Sequence, residues 1–349
     1  MSKKCKEQQC KTKTSIGGQA LIEGIMMRGP KRTAMAVRNP AGEIVLEKSE
    51  NKASRAPKIV RLPIIRGVFG FITSMVTGYK CLMRSAEIAG LEDEITEAKE
   101  TEKAEEATAT PTDTEPKKEQ KKKESSALMT GIMVVATVLG VALAVGLFVL
   151  LPTYIYKWCA SVMPFLTSEH PALNSLIKSV FEGVLKIAVL VAYMSLVSLM
   201  KDIRRTFQYH GAEHKTIFCY EHGQELTVEN VRREGRFHPR CGTSFLILML
   251  LVGIFISFFI DPLCILITGG VPPTFIRAIL KLVLLPLIMG VGYELIKFAG
   301  RHDNLLTRII SAPGRWLQRI TVLEPTDDMI ECAILAFKEV IPEDESDRY

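Results

Sequence analysis

None of the eight cysteines (Cys5, Cys10, Cys81, Cys159, Cys219, Cys241, Cys264 and Cys332) stands in a CxxC pair or at a regular spacing, which argues against a disulfide framework. Most are read as reduced thiols on a cytosolic side. Charge of one sign is scarce too: a net +6 over 349 residues gives a nucleic-acid partner no support. The opening stretch MSKKCKEQQCKTKTS has no apolar core, so no cleaved signal peptide is expected and membrane delivery falls to an internal span. No internal repeat is visible. A phosphate loop is also missing: Gly17, Gly18, Gly24 and Gly29 precede Lys31, but Pro30 intervenes and Arg32 follows, so G-x-x-x-x-G-K-[ST] fails. Those glycines are read as letting the segment turn tightly against other parts of the protein.

What the chain has in quantity is apolar surface. Hydrophobic residues make up 48% of it and the mean hydropathy is +0.18, yet 23% of residues are charged. Both facts hold together only if apolar and charged blocks are segregated, one set in lipid and the other in water.

Leu128 to Leu151 runs for 24 residues without a charge. As a helix this is about 36 Å, enough for a hydrocarbon core of roughly 30 Å. Val180 to Met200 is a second span, with Glu182 and Lys186 at i,i+4 near its start, and Gly242 to Ile260 is a third, stopped by Asp261 and Pro262. A fourth covers about Ala278 to Ala299, interrupted by Pro286 and carrying Lys281, Glu294 and Lys297 near its ends. The connection 201–243 holds Lys201, Arg204, Arg205, Lys215, Arg232, Arg233, Arg236 and Arg240, whereas the other two connections are nearly bare. The positive-inside rule therefore puts that connection and both termini in the cytosol. Tyr154, Tyr156 and Trp158 fit an outer aromatic belt, and Cys159 and Cys264 share that side, where one disulfide is conceivable.

The fold class expected is mainly α: a polytopic helical membrane protein of about four spans, with a small N-terminal β-hairpin and C-terminal amphipathic helices. The hairpin is AMAVRNPAGEIVLEKSE, alternating around Asn39-Pro40-Ala41-Gly42. Residues 1–62 form the cytosolic N-terminal segment. At 63–90 a helix is interfacial or packed, since only 13 uncharged residues separate Arg66 from Lys80. A disordered charged linker (91–126) leads to the first two spans (127–200), the cytosolic connection (201–243), the last two spans (244–299) and the C-terminal helices (300–349). Ala312-Pro313-Gly314 is read as breaking the first of these, and Thr326 caps the final one, whose apolar face is Ile330, Ala333, Ile334, Phe337 and Ile341.

His210, Glu213 and His214 form H-x-x-E-H directly after the second span, where the helix is expected to continue past the membrane surface. Positions i, i+3 and i+4 share one face, so both imidazoles can point at one ion with the carboxylate beside them. Zinc needs further ligands, and His238 and Cys241 at the start of the third span are the obvious source. His222 and Glu221 are weaker candidates, while His170 and His302 are ordinary polar residues. Three readings compete: histidines at a headgroup boundary, a closed structural zinc site of His210, His214, His238 and Cys241, and a catalytic site with one position left to water and Glu213 as general base. The carboxylate favours catalysis.

The stretches GGQALIEGIMMRGP (17–30), QYHGAEHKTIFCYE (208–221), HPRCGTSF (238–245) and QRITVLEPTDDMIECAI (318–334) together resemble the YqhQ family of bacterial membrane proteins, over nearly the whole chain apart from 91–126. That resemblance implies a predicted metal-dependent enzyme without an established substrate, with His210, Glu213, His214, His238 and Cys241 at the matching positions. The H-x-x-E-H motif is also similar to that of inverzincin proteases, but Gly211 weakens the helix and no downstream acidic ligand is obvious, Glu294 being the nearest candidate; Glu23 is a further carboxylate that could reach the site. The expectation is metal-assisted hydrolysis at the cytosolic face of the bacterial inner membrane, with the lipid bilayer and a membrane-associated substrate as partners. The alternatives are a non-enzymatic scaffold that binds a cytosolic protein, and a transporter built on Glu182, Lys186, Glu294 and Lys297.

Overall fold

The computed structural model describes residues 12–51, 62–90 and 135–348, apart from 271, 303 and 345. The linker expected at 91–126 and the beginning of the first apolar run lie outside the described residues. Four strands and ten helices are used below. The strands are β1 (Gly17–Leu21), β2 (Gly24–Arg28), β3 (Arg32–Arg38) and β4 (Ile44–Glu50). Helix α1 is Ile65–Ile88, α2 Val135–Val162, α3 Pro171–Val197, α4 Lys201–Glu221 and α5 Val228–Arg233. Then follow α6 (Gly242–Thr268), α7 (Thr274–Val283), α8 (Leu285–Arg301), α9 (Leu305–Thr321) and α10 (Asp327–Lys338).

The chain divides into two compact units, Met1–Glu94 with Val191–Gly253 and Leu282–Tyr349, and Ile95–Leu190 with Ile254–Lys281. In the first, the four strands form one antiparallel sheet in the order β1-β2-β3-β4. Its side chains alternate between two cores. Ile25, Met27, Ala34 and Ala36 meet Tyr209, Ala212 and Ile217 of α4 and Ile330, Ala333 and Phe337 of α10. Leu21, Met26, Met35 and Val37 point the other way, towards Cys81 and Leu82 of α1. The sheet is thus covered on both faces, and the expected hairpin is half of a four-stranded sheet. The expected hairpin itself is β3–β4, closed where Gly42 (φ +87°) donates its N–H to Asn39 O at 2.9 Å. The other half escapes periodicity because β2, buried on both faces over Gly24–Met27, reads there as the continuous apolar run GIMM.

Among the described residues, three helices are long and apolar enough to cross a membrane: Val135–Val162, Leu173–Val197 and Gly242–Thr268. A fourth span requires counting α7 and α8 together, two helices bent by 45° at Leu284, with Pro286 in the first turn of α8. Helix α1 packs its Gly67 against Tyr293 of α8 and leaves Phe69, Ile72, Met75 and Val76 exposed. Cys159 and Cys264 are free thiols.

Two local expectations are corrected. The second span does not run on into the histidine motif: α3 ends at Val197, and Met200 is extended (φ −70°, ψ 133°) before α4 begins. Ala312-Pro313-Gly314 does not break α9, which continues through Pro313. Gly314 serves close packing instead, since a Cβ there would lie 2.4 Å from Ser244 Oγ. In α10 the first turn carries Asp327 and Asp328 after Thr326, and Ile330, Ala333, Ile334 and Phe337 are buried as the periodicity predicts.

Candidate metal centre

Helix α4 carries ten buried residues in its last thirteen positions, although its average composition is polar, because the sheet, α10 and the chain around Leu323 enclose it. Gly211 makes that enclosure possible: a Cβ there would come within 1.9 Å of Leu323 O, and Leu323 N–H donates to Phe207 O at 2.9 Å. The glycine that weakens the motif as a helix is what admits the 321–325 segment alongside it.

The helix face turned inward presents His210, Glu213 and His214. His210 Nδ1 lies 3.0 Å from Thr321 O, and His214 Nδ1 lies 2.5 Å from Arg236 O. A carbonyl can only accept, so each Nδ1 carries the hydrogen and each Nε2 is directed into the site. His210 Nε2 is 3.1 Å from Cys241 Sγ. His214 Nε2 is buried and has no hydrogen-bond partner, an orphaned donor-acceptor atom of the sort that buried sites rarely leave without a ligand. The ligand atoms of His210, His214 and Cys241 all lie within 4.8 Å of one another. Two imidazole nitrogens and a thiolate suit zinc or a similarly borderline cation.

Electrostatics agree with the geometry. Burial acts to raise the Cys241 thiol, but the adjacent His210 and His214 imidazoles outweigh it and hold the thiol well below its ordinary value. Burial likewise opposes charge on His210, and the Cys241 thiolate overcomes it, lifting His210 to about 9. In the chain alone these two groups form an imidazolium-thiolate pair, and a cation would replace the shared proton. Glu213 is buried, and that burial raises its carboxyl above the usual range against the pull of both histidines. Its Oε1 accepts the Gly18 N–H at 3.0 Å.

His238 stands apart from this group. Its ring is 4.7 Å from Phe218 and 5.6 Å from His214, Nδ1 accepts the Arg240 N–H at 3.3 Å, and Nε2 is 3.6 Å from Glu221 Oε2. Burial holds it down at about 4, with the Arg240 charge adding to the effect. Glu221 in turn accepts from Arg240 and, at 2.8 Å, from the Thr14 N–H. His238 therefore braces the site from behind, its carbonyl taking the Gln318 Nε2 hydrogen bond at 2.7 Å.

The remaining candidates are occupied elsewhere. Glu23 forms a two-pronged ion pair with Arg205, and Glu294 one with Arg66, whose Nε is 2.6 Å away. His222 sits 2.9 Å from both oxygens of Glu234. His170 and His302 are exposed. What the sequence reading missed is the support: Gly18, Gln318 and the carbonyls of Thr321 and Arg236. The four sequence stretches quoted together above each contribute here, Gly18 from the first, the ligands from the second and third, and Gln318 and Thr321 from the fourth.

Residues 62–343 match the model of a family described as a protein of unknown function, DUF1385. The chain is 29% identical over 333 residues to the uncharacterized protein YqhQ of Bacillus subtilis, an overlap of 95% of this chain and 93% of that one. No solved structure matches.

Proposed function

This chain belongs to the DUF1385 family, and on that footing we propose that it is a multi-pass protein of the bacterial plasma membrane, termini in the cytosol, that performs metal-assisted hydrolysis on a membrane-associated substrate. The observation that carries the proposal is the pair of imidazoles whose Nδ1 atoms are tied to backbone carbonyls while Nε2 of His214 stays buried without a partner, beside Cys241. His210, His214 and Cys241 would hold a zinc-type cation, and three protein ligands leave the fourth position for water or substrate. Bound there, the cation would polarise a carbonyl or phosphoryl oxygen and make water acidic enough to lose a proton near neutral pH.

Glu213 would receive that proton. Its raised pKa brings it nearer the working pH, where a carboxylate both accepts and returns a proton efficiently. The Gly18 N–H fixes one of its oxygens, so the other is free to face the site. Thr243 Oγ1, 3.1 Å from Cys241 Sγ, steadies the sulfur. Glu213→Gln in purified protein should retain the metal and the fold and lose activity.

A second reading is favoured by one feature: the ligands come from α4 and from the residue preceding α6, so a cation would close the 201–243 connection on itself. In that case the metal shapes a docking surface for a cytosolic protein and Glu213→Gln leaves function intact. Transport loses part of its footing, because Glu294 is neutralised by Arg66.

A further inference from the structure

Helix α9 has three faces. Thr307, Ser311, Gly314 and Gln318 are buried against the protein. Leu305, Leu306, Ile309 and Trp316 are 50% to 75% exposed. At about 100° per residue, Leu305, Ile309 and Trp316 fall within about 40° of one another. Arg308, Arg315 and Arg319 are exposed as well and share a second sector of about 40° beside that stripe. Arg315 and Arg319 form no ion pair among the described residues. Residues 301–321 hold four arginines against one acid, Asp303, so the surface is cationic.

What covers the apolar stripe follows from where the helix is pinned. Gly314 packs on Ser244 in the first turn of α6, where a Cβ on the glycine would lie 2.4 Å from Ser244 Oγ. One turn further, Gln318 Nε2 donates to the same Oγ at 3.0 Å. Helix α6 is apolar enough to cross a membrane, and its first turn is where the chain would enter the apolar layer. A helix held at that level turns its outward face to the boundary between headgroups and acyl chains. An apolar stripe bordered by a row of arginines suits that boundary: the stripe enters the acyl layer while the guanidinium groups reach phosphate on their aliphatic stems. Tryptophan favours the same depth.

We infer that α9 is an in-plane anchor in the cytosolic leaflet, with Leu305, Ile309 and Trp316 among the acyl chains and Arg315 and Arg319 on the headgroups of anionic phospholipid. The inference rests on α6 being a membrane span, as proposed above. The buried face of the same helix carries Gln318 and Thr321: Gln318 Nε2 donates to His238 O at 2.7 Å, and Thr321 O accepts from His210 Nδ1 at 3.0 Å. The anchor thus holds the candidate metal centre beside the headgroup layer, where a membrane-associated substrate lies.

The full chain carrying Trp158→Phe, which leaves Trp316 as its sole tryptophan, is reconstituted in phosphatidylcholine nanodiscs containing equal mole fractions of either brominated phosphatidylcholine or brominated phosphatidylglycerol. Trp316 emission should be quenched by the bromolipids and shielded from acrylamide in the water. Brominated phosphatidylglycerol should quench more strongly, through a local enrichment of about five-fold per arginine, the factor that about 1 kcal/mol for each basic residue gives. In Arg315→Gln/Arg319→Gln the two bromolipids should quench equally. Quenching by acrylamide and not by bromolipid would overturn the inference and leave the stripe to a cytosolic protein or a second copy of the chain. Equal quenching by the two lipids before the arginines are replaced, or a preference that survives their replacement, would overturn it too. Carbonate extraction separates this result from the span: release of the chain overturns the membrane reading and the inference together, whereas retention with Trp316 in water overturns the inference alone.

Discussion

The backbone N–H of Gly18 donates to Glu213 Oε1 at 3.0 Å across 195 residues of sequence. A strand edge and a helix face are thereby joined at Glu213, a buried carboxylate on the same helix as His210 and next to His214 in sequence. A side chain at position 18 has nowhere to go: a Cβ would come within 2.8 Å of both Met26 O and Met27 Sδ and within 3.0 Å of Glu213 Cδ. Gly18→Ala is therefore expected to destabilise the protein by about 1–3 kcal/mol, the usual cost of overpacking, and to cut activity by displacing Glu213. Metal content should be unchanged, because no ligand moves with it. Thermal unfolding and metal analysis of the same preparation separate the two effects.

His238 and His214 differ in kind despite rings 5.6 Å apart. His238→Ala leaves the buried Glu221 short of a partner and should cost roughly 1–3 kcal/mol of stability while keeping the metal. His222→Ala, which removes the contact to Glu234 and the stacking on Phe218, should likewise keep the metal.

The imidazolium-thiolate pair gives a pH signature in chelator-treated protein. Because the folded value of His210 is raised from 6.5 to about 9, its contribution to stability is complete below pH 6.5 and is lost as pH rises through 9. For Cys241 the value is depressed, so its contribution is complete above the ordinary thiol range and is lost as pH falls through the lowered one. Ultraviolet absorbance should show the thiolate at neutral pH, and His210→Ala should return the thiol towards its ordinary value of about 8.5. A neutral thiol in the wild type at pH 7 would contradict the pairing.

Phe337→Ala probes the core that holds α4 against the sheet. The side chain is fully buried between α10 and the strands. A loss of about 3–5 kcal/mol is expected from the cavity, and denaturant unfolding measures it.

The long apolar helices were legible in the sequence because they need only an uninterrupted uncharged run, and α10 was legible because a helix with one buried face keeps its 3.6 period. Where burial is two-sided, as in β2, that period is erased. The continuity of α9 through Pro313 was illegible for a different reason: it is decided by packing with distant residues, Gly314 against Ser244 among them. At the candidate site, the residue types and the i, i+3, i+4 spacing disclosed His210, Glu213 and His214. Cys241 followed from the return of the chain to the same surface. The placement of His238 did not, since Glu221 and Arg240 bind it from outside any local pattern. Nor could spacing show that Gly18 contributes a backbone N–H rather than a side chain.

Metal stoichiometry of the purified full-length protein tests the central claim most directly. One zinc-type ion per chain is predicted for the wild type and for Glu213→Gln, and loss of it in His214→Ala and Cys241→Ala. Wild-type protein that binds no metal, or His214→Ala and Cys241→Ala variants that bind as much as the wild type, would contradict the account.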